Sequence, residues 1–237
     1  MTVLTVDAIH TYYGESHVLQ GVSLRVDAGE VVALLGRNGA GKTTTLKSIM
    51  GIVPARRGTI RFDGADITRL PPHLVARRRI AWIPEERRIV PNLTVYENLR
   101  LAMLKAPVDG KEASARLEEA LAFFPRLRER LTQNGKSLSG GEQQMLAIAR
   151  GLVAGPALML VDEPTEGLMP IIVRNLTEIL HAINARGTSM LLVEQNLEVA
   201  LALARRVYLI DQGRIEFEGT PDDLRGHPDL LRRYLGV

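Results

Sequence analysis

Residues 36–43 read Gly36-Arg37-Asn38-Gly39-Ala40-Gly41-Lys42-Thr43, and they follow directly on the apolar run Val31-Leu35. A helical pattern begins at the end of this octapeptide and continues to about Met50, so the local order is strand, glycine-rich loop, helix. Glycines let backbone N–H groups approach phosphate oxygens closely, and the start of a helix adds positive potential. The alternative is a glycine-rich turn before an ordinary helix, but the motif occurs by chance in only on the order of 1% of chains of this length. The octapeptide, called the phosphate loop below, therefore predicts a nucleotide-binding site.

The polar residues of the phosphate loop have expected roles. Lys42 is expected to reach the β- and γ-phosphates of the nucleotide, and the Thr43 hydroxyl is expected to coordinate Mg²⁺. Thr44 and the backbone of the remaining loop residues are expected to contact the phosphates.

An acidic site is predicted where another buried strand ends. The apolar run Leu158-Val161 is followed by Asp162 and Glu163. Beside a phosphate loop, an aspartate at such a strand end holds Mg²⁺, often through water. Glu163 would then face the terminal phosphate and orient or deprotonate the attacking water. Taken alone, the two acids would more simply end a strand at a solvated turn, so this prediction depends on the phosphate loop.

Residues 138–144, called the signature segment below, read Leu138-Ser139-Gly140-Gly141-Glu142-Gln143-Gln144. Ser139 and Glu142 have the spacing of a capping box, so a helix start explains them. It does not explain two adjacent glycines, because each one destabilises the first helical turn. Paired glycines and a serine hydroxyl at a helix N-terminus indicate a second anion-binding site. Two phosphate-binding ends that lie about a hundred residues apart in one chain favour head-to-tail dimerisation.

Hydrophobic patterning predicts an α/β fold. Five short apolar runs are typical of strands buried on both faces of a parallel sheet, namely Val31-Leu35, Ile80-Ile83, Leu158-Val161, Met190-Val193 and Val207-Ile210. Stretches with helical spacing, such as residues 172–183, alternate with these runs, so the sheet is expected to be mostly parallel and covered by helices. Three segments with more alternating patterns, Val3-Ile9, Val18-Val26 and Gly58-Phe62, predict an N-terminal antiparallel β layer.

Helical patterns alone fill the region from about Arg87 to Gly155. They cover Thr94-Leu104, Lys111-Arg130 and Gly140-Val153, with a short loop at Pro107-Gly110. We therefore expect a single domain over residues 1–237, with a catalytic core and β layer at about 1–86 and 156–237. A helical insertion subdomain at about 87–155 would carry the signature segment. The one tryptophan, Trp82, lies within an apolar run and is expected in the core.

These motifs together resemble the ATP-binding subunits of ABC transporters, and the resemblance covers essentially the whole chain. Its hallmark is Leu-Ser-Gly-Gly-Glu-Gln in the signature segment, beside the phosphate loop and the Asp162-Glu163 strand end. The resemblance implies a P-loop NTPase core, ATP and Mg²⁺ as ligands, and two subunits that sandwich two ATP molecules. Ser139, Gly140 and Gly141 would then contact the γ-phosphate bound by the partner chain.

The resemblance also assigns a role to Tyr13, which precedes Gly14. The family places at this position an aromatic residue that stacks on adenine, an interaction worth roughly 1–3 kcal/mol. The alternative is an ordinary tyrosine on an edge strand.

Three positions depart from the general pattern of the family. Glu85 replaces a glutamine that contacts Mg²⁺ and senses the membrane partner, although a carboxylate can still approach Mg²⁺ directly or through water. Gln195 replaces a histidine that bonds the γ-phosphate, and an amide donates a hydrogen bond without titrating. Met169 replaces an aspartate, so the cross-dimer contact of that aspartate is not carried over.

The departures are similar to one branch of the family. Pro-Glu-x-Arg-Arg at 84–88, Val-Glu-Gln-Asn at 193–196, Gly-Leu-x-Pro at 167–170 and Tyr-Leu-Gly-Val at 234–237 resemble an ATPase subunit of bacterial importers of branched-chain (hydrophobic) amino acids. Urea and short-chain amide importers have similar subunits. The resemblance implies Mg²⁺-dependent ATP hydrolysis that drives transport, at the cytoplasmic face of the membrane. The implied partners are a second ABC ATPase subunit (a copy or a related chain), two membrane permease subunits and, indirectly, a periplasmic or extracellular solute-binding protein.

Composition limits the alternatives. Lys and Arg total 30 against 27 Asp and Glu in 237 residues, a net charge of +3 that is too balanced to predict nucleic-acid binding. The chain has no cysteine, and its five histidines show no metal-ligand spacing. No apolar run approaches the roughly 18 residues of a membrane span. A non-transport ABC ATPase that acts on nucleic acid usually has long coiled-coil insertions or two cassettes, which this chain lacks. A regulator without hydrolysis is the other alternative, and Glu163 argues against it.

Overall fold

The structure is a computed structural model that describes residues 1–104 and 110–236. Its strands are β1 (Thr2–Tyr13), β2 (Ser16–Asp27), β3 (Val31–Leu35), β4 (Arg57–Phe62), β5 (Ala65–Asp66), β6 (Ile80–Ile83), β7 (Leu158–Asp162), β8 (Ser189–Glu194), β9 (Arg206–Asp211) and β10 (Arg214–Gly219). Its helices are α1 (Lys42–Ile49), α2 (Pro72–Arg77), α3 (Val95–Met103), α4 (Gly110–Phe123), α5 (Pro125–Arg128), α6 (Gly140–Val153), α7 (Pro170–Ala185), α8 (Leu197–Leu203), α9 (Pro221–Arg225) and α10 (Pro228–Tyr234). The loop expected at 107–110 lies, apart from Gly110, outside the described residues.

The larger sheet has six strands in the order β10-β9-β3-β8-β7-β6. The five predicted buried strands are all confirmed, and they pair in parallel with one another. Every residue of β3, β7 and β8 is buried, which explains why these strands read as continuous apolar runs. The edge strand β10 is antiparallel to β9 and was not predicted.

The predicted antiparallel layer is a four-stranded sheet in the order β2-β1-β4-β5. Its first two strands are longer than predicted, with 12 residues each. Register shifts interrupt their pairing at several points, and such irregularities weaken the alternation that marks strand ends in a sequence.

The two faces of the six-stranded sheet bury different layers. One face packs against the antiparallel sheet and α1, through residues such as Leu34 and Leu160 against Leu4, Leu24 and Leu46. The other face packs against helices that include α6 and α7, through residues such as Val161 and Leu192. Strand β3, which precedes the phosphate loop, is therefore packed on both faces, and α1, which follows the loop, packs in the first layer.

The described residues of the range 87–155 contain helices α3 to α6 and no strand. Capping boxes begin two of the helices, with Thr94 and Glu97 at α3 and Ser139 and Glu142 at α6. The helical pattern predicted over residues 111–130 forms two helices. It breaks into α4 and α5 at Phe124, because the following Pro125 has no N–H to continue α4 and takes the first position of α5.

No helix within residues 1–104 and 110–236 has the length and apolar character of a membrane span. The core position expected for Trp82 is only partly correct. Trp82 is half-buried on β6, and its Nε1 has no hydrogen-bond partner. It lines a groove of about 730 Å³ between β6, α3 and α6, called the β6–α6 groove below.

Candidate nucleotide site

The phosphate loop follows β3, and Asp162 and Glu163 lie at the end of β7, on the same edge of the parallel sheet. These strand ends border a cleft of about 450 Å³. The cleft is lined by Tyr13, Val18, Asn38, Gly39, Gly41, Lys42, Thr43, Thr44, Glu85, Glu163 and Glu166. Ligands of open α/β sheets bind at the carboxyl ends of strands, so this cleft is the candidate nucleotide site.

The backbone of the phosphate loop requires glycine at specific points. Gly41 is the N-cap of α1 with a φ of 115°, a region that other residues rarely adopt. At Gly36, a Cβ atom would collide with the carbonyl oxygen of Ile210 on the neighbouring strand. Ala40 is buried, and Arg37 contributes a carbonyl to the loop interior.

Lys42 lies at the centre of the phosphate loop. Its buried Nζ donates to the carbonyls of Gly36 at 2.8 Å and Arg37 at 3.1 Å, and it lies 3.2 Å from Glu163 Oε1. A buried ammonium of this kind supplies a fixed positive charge at the place where phosphate oxygens would bind.

Thr43 and Asp162 meet directly. The Thr43 hydroxyl donates to Asp162 Oδ1 at 3.2 Å, while Oδ2 of the same carboxylate is buried without a hydrogen-bond partner. Burial raises the pKa of Asp162 to about 6, against the hydrogen bond from Thr43, which favours the charged form. A buried carboxylate oxygen without a partner, next to a hydroxyl, suits a hard divalent cation such as Mg²⁺. These two residues therefore fit the magnesium site that the sequence predicts.

Glu163 is held on both carboxylate oxygens. Oε1 faces Lys42, and Oε2 accepts a hydrogen bond from Gln195 Nε2 at 2.5 Å. Burial alone would raise the pKa of Glu163, but hydrogen bonds from Glu166 and Gln195 together with the Lys42 charge leave this pKa below its ordinary value. The structure thus joins three predicted site residues, Lys42, Glu163 and Gln195, in one hydrogen-bonded group.

Glu166 belongs to this group and was not predicted. Its carboxyl group forms a hydrogen bond with Glu163, which raises the pKa of Glu166 to about 7, and burial acts in the same direction. The sequence carries no signal for this contact, because it depends on how the loop after β7 folds back over the cleft.

Glu194 is a second residue that the sequence analysis missed. It is 2% exposed at the end of β8, and its Oε1 accepts hydrogen bonds from the Thr165 hydroxyl at 2.7 Å and the Thr165 N–H at 3.3 Å. Its Oε2 accepts from the N–H groups of Gln195 and Asn196, both at 3.1 Å. Glu194 therefore ties the loop after β7 to the loop that carries Gln195. The sequence signal that could have identified Glu194 is a charged residue at the end of an apolar run.

The remaining predicted residues divide into two groups. Tyr13 and Glu85 are exposed and line the cleft, with 45% of Tyr13 accessible. Ser139, Gly140 and Gly141 begin α6 and do not line it. The Ser139 side chain accepts a hydrogen bond from the Glu142 N–H at 3.3 Å, which confirms the predicted capping box.

The arrangement of loop, strand end and signature segment has a counterpart among known families. The family model described as "ABC transporter" matches residues 19–166, more than half of the chain, including all three of these features. The chain belongs to the ABC transporter family.

Several named ATP-binding proteins of this family are similar over nearly their full length. The high-affinity branched-chain amino acid transport ATP-binding protein BraG of Pseudomonas aeruginosa is 43% identical, over 99% of this chain and 100% of its own. The lipopolysaccharide export system ATP-binding protein LptB of Escherichia coli K12 is 38% identical, over 100% and 98%. The probable branched-chain amino acid transport ATP-binding protein LivF of Archaeoglobus fulgidus is 37% identical, over 95% of both chains.

Solved structures of ABC cassettes share the fold. An ATP-binding subunit of an ABC transporter is 35% identical with a TM-score of 0.85, covering 99% of this chain and 96% of its own. The ADP conformation of the cassette MJ1267 is 26% identical with a TM-score of 0.85 and full coverage of both chains. A dimeric structure of the bacterial cassette MJ0796 is 26% identical with a TM-score of 0.81, covering 92% and 98%.

Membership settles the general activity of this ABC transporter ATPase. The chain is an ATP-binding subunit of an ABC transporter, and its ATP hydrolysis is coupled to transport. Among the solved relatives, MJ1267 is in an ADP conformation, MJ0796 is dimeric, and cbiO1 of Clostridium perfringens is part of the ABC transporter complex cbiONQ.

Proposed function

We propose that this chain powers an importer of branched-chain or other hydrophobic amino acids, at the cytoplasmic face of the membrane. The full-length similarity to BraG carries the proposal, and the similarity to LivF supports it. Glu85 and Gln195 agree with it, because both stand where the importer branch departs from the general pattern. The working assembly then contains a second ABC ATPase subunit, two permease subunits and a solute-binding protein on the far side.

A lipopolysaccharide export ATPase is the second candidate, since LptB is 38% identical over the whole chain. The two candidates differ in which transport process stops when the chain cannot hydrolyse ATP. In the host organism, replacing the gene with a Glu163→Gln copy should abolish uptake of radiolabelled leucine, isoleucine and valine while glutamate uptake continues. Normal leucine uptake together with lipopolysaccharide accumulation at the inner membrane would contradict the import proposal and support the export one. Loss of urea or short-chain amide uptake instead would change the solute but keep the direction of transport.

At the site itself, we propose that ATP binds the phosphate loop with its terminal phosphates at Lys42. Thr43 and Asp162, with Glu85 nearby, would hold Mg²⁺, which when bound neutralises charge on the β- and γ-phosphates. Glu163 orients and deprotonates the attacking water, a role that suits a carboxylate kept ionised by its neighbours. Gln195 holds Glu163 through its amide.

We further propose that the nucleotide is shared between two chains. Ser139, Gly140 and Gly141 do not line the cleft of their own chain, as expected if they bind the γ-phosphate on the partner. ATP binding would then close the dimer and hydrolysis would reopen it. The single domain would comprise the catalytic core and β layer at about 1–86 and 156–237 and the helical subdomain at about 87–155.

Motion of the helical subdomain would reach the permease subunits through the region of Glu85–Glu97. The neighbouring β6–α6 groove supports this assignment. The groove is lined by the exposed Leu101 of α3. Two further exposed apolar residues are Tyr96 of α3 and Leu104, which follows α3.

A further inference from the structure

The hairpin turn that presents Tyr13 joins the rest of the β1–β2 ladder through an irregular stretch. Tyr13 pairs with Ser16 and Tyr12 pairs with His17 at the end of the β1–β2 ladder. A register shift between Thr11 and Tyr12 separates these last two pairs from the rest of the ladder. Such a bulge interrupts the hydrogen bonding that would otherwise fix the direction of the turn.

Side-chain contacts from outside the hairpin compensate for this interruption. Arg56, which precedes β4, donates from Nη2 to the Gly14 carbonyl at 2.6 Å. Its guanidinium lies 4.5 Å from the centre of the Tyr12 ring. The Tyr12 ring in turn stacks on His17 at 4.2 Å with an interplanar angle of 7°. One planar cation thus contacts both the backbone and the aromatic side chain of the turn.

Arg56 is itself anchored to β1. Its backbone N–H donates to the His10 carbonyl at 2.8 Å, and the preceding Ala55 is buried. The His10 ring continues the stack, with a 3.0 Å contact between its Nδ1 and Nε2 of His17. Arg56 and the stacked rings of Tyr12, His17 and His10 are called the brace below. The brace extends from the buried part of the antiparallel sheet to the tip of the hairpin.

The brace and the nucleotide cleft lie on opposite sides of the turn. Successive side chains of a strand point to opposite faces, so Tyr12 faces Arg56 while Tyr13 lines the cleft. We infer that Arg56 is a positioning residue for nucleobase binding: it holds the Tyr12–Gly14 turn so that the Tyr13 ring meets the adenine. This inference rests on the proposed stacking of Tyr13 on ATP, and it adds a residue that touches no part of the nucleotide.

Isothermal titration with ATP and with inorganic tripolyphosphate tests the inference, because tripolyphosphate probes the phosphate loop without a base. We expect Tyr13→Ala to weaken ATP binding about tenfold and Arg56→Ala to weaken it about threefold. Neither variant should change the affinity for tripolyphosphate. Arg61→Ala removes an exposed arginine further along β4 and should behave as wild type.

The double variant decides whether Arg56 acts through Tyr13. Adding Arg56→Ala to Tyr13→Ala should cause no further loss of ATP affinity. Equal losses for ATP and tripolyphosphate, no loss for Arg56→Ala, or an additive loss in the double variant would each overturn the brace. If Tyr13→Ala alone left ATP binding unchanged, the stacking role itself would fail, and the brace with it.

Discussion

Glu163 has a backbone conformation that few glutamates adopt. Its φ is 44°, in the left-handed region, and it directly follows the buried strand β7. Strain of this kind persists where surrounding contacts fix a residue for a function. Here the contacts come from Lys42 and Gln195, which leave the carboxylate ionised at the edge of the cleft.

The conservative variant Glu163→Gln keeps the shape of this side chain and removes its basicity. We expect it to bind ATP as tightly as wild type and to hydrolyse it about 10²- to 10⁴-fold more slowly, the usual contribution of a general base. Steady-state ATPase rates and ATP titrations measure the two effects. Glu178→Gln on the exposed face of α7 is the matched control, and near-normal hydrolysis by Glu163→Gln would refute the general-base role.

Substitutions at Gln195 test whether the residue at this position, where the family usually has a histidine, titrates. Gln195→Ala removes a hydrogen bond to a charged partner and should slow turnover about tenfold. Because an amide carries no titrating proton, Gln195→Ala should add no acid limb below pH 7. The limb set by Glu163 should move to higher pH, because the lost hydrogen bond from Gln195 lowers the pKa of Glu163. Gln195→His should instead add an acid limb near the ordinary imidazole pKa of about 6.5. A new acid limb in Gln195→Ala would show that the amide is not a passive donor.

At the scale of elements, α6 connects the signature segment to the loop after β6. Arg150 near its end donates to the carbonyls of Arg88 at 2.7 Å and Arg87 at 3.1 Å. Both of these arginines have positive φ values, 62° for Arg87 and 46° for Arg88. Movement of α6 would therefore be transmitted to the loop that holds Glu85, next to the β6–α6 groove.

The groove gives a prediction for α3. Leu101 is 40% exposed at its rim, and Leu101→Asp should leave the ATPase activity of the isolated chain within about twofold of wild type. Co-purification with co-expressed permease subunits of the proposed importer should be lost, because a carboxylate would be desolvated on docking. Ile52→Asp changes an apolar residue of similar exposure in the loop between α1 and β4 and should keep the permeases bound. Retention of the permeases by Leu101→Asp would place docking elsewhere.

Local patterns in the sequence were sufficient to predict most elements. The buried strands β3, β6, β7, β8 and β9 and the capping box at Ser139 are confirmed because each follows from a short, strong local signal. Strand β10 was missed although Ile215 and Phe217 alternate with charged residues after the turn at Gly213. An edge strand of this kind is amphipathic and resembles a solvated loop.

The contacts that complete the candidate site could not be predicted from local sequence patterns. Glu166 reaches Glu163, and Glu194 reaches Thr165, only because the loops after β7 and β8 lie side by side. That neighbourhood is a property of the sheet order, which places β7 beside β8 although residues 163–188 separate them in the chain. The break between α4 and α5 at Phe124 could have been predicted from Pro125. The sequence analysis relied on helical spacing alone and did not use this proline.

At the scale of the whole molecule, the phosphate loop lines the cleft and the signature segment does not, and both are proposed to bind phosphate. In the Glu163→Gln background, which retains ATP, we expect ATP with Mg²⁺ to convert the monomer to a dimer in analytical ultracentrifugation. Adding Ser139→Arg should abolish this dimer while ATP binding by the monomer persists, because the arginine side chain would fill the space at the start of α6. Loss of ATP binding by the monomer would mean that the signature segment serves its own chain.

Mixing two inactive chains tests shared nucleotide binding most directly. Lys42→Ala removes the phosphate-loop ammonium and Ser139→Arg blocks the signature segment, so each variant alone should be inactive. In an equal mixture, half of the randomly formed pairs combine an intact phosphate loop with an intact signature segment, and ATPase activity should return to about a quarter of the wild-type rate. A mixture as inactive as either variant alone would contradict the head-to-tail arrangement.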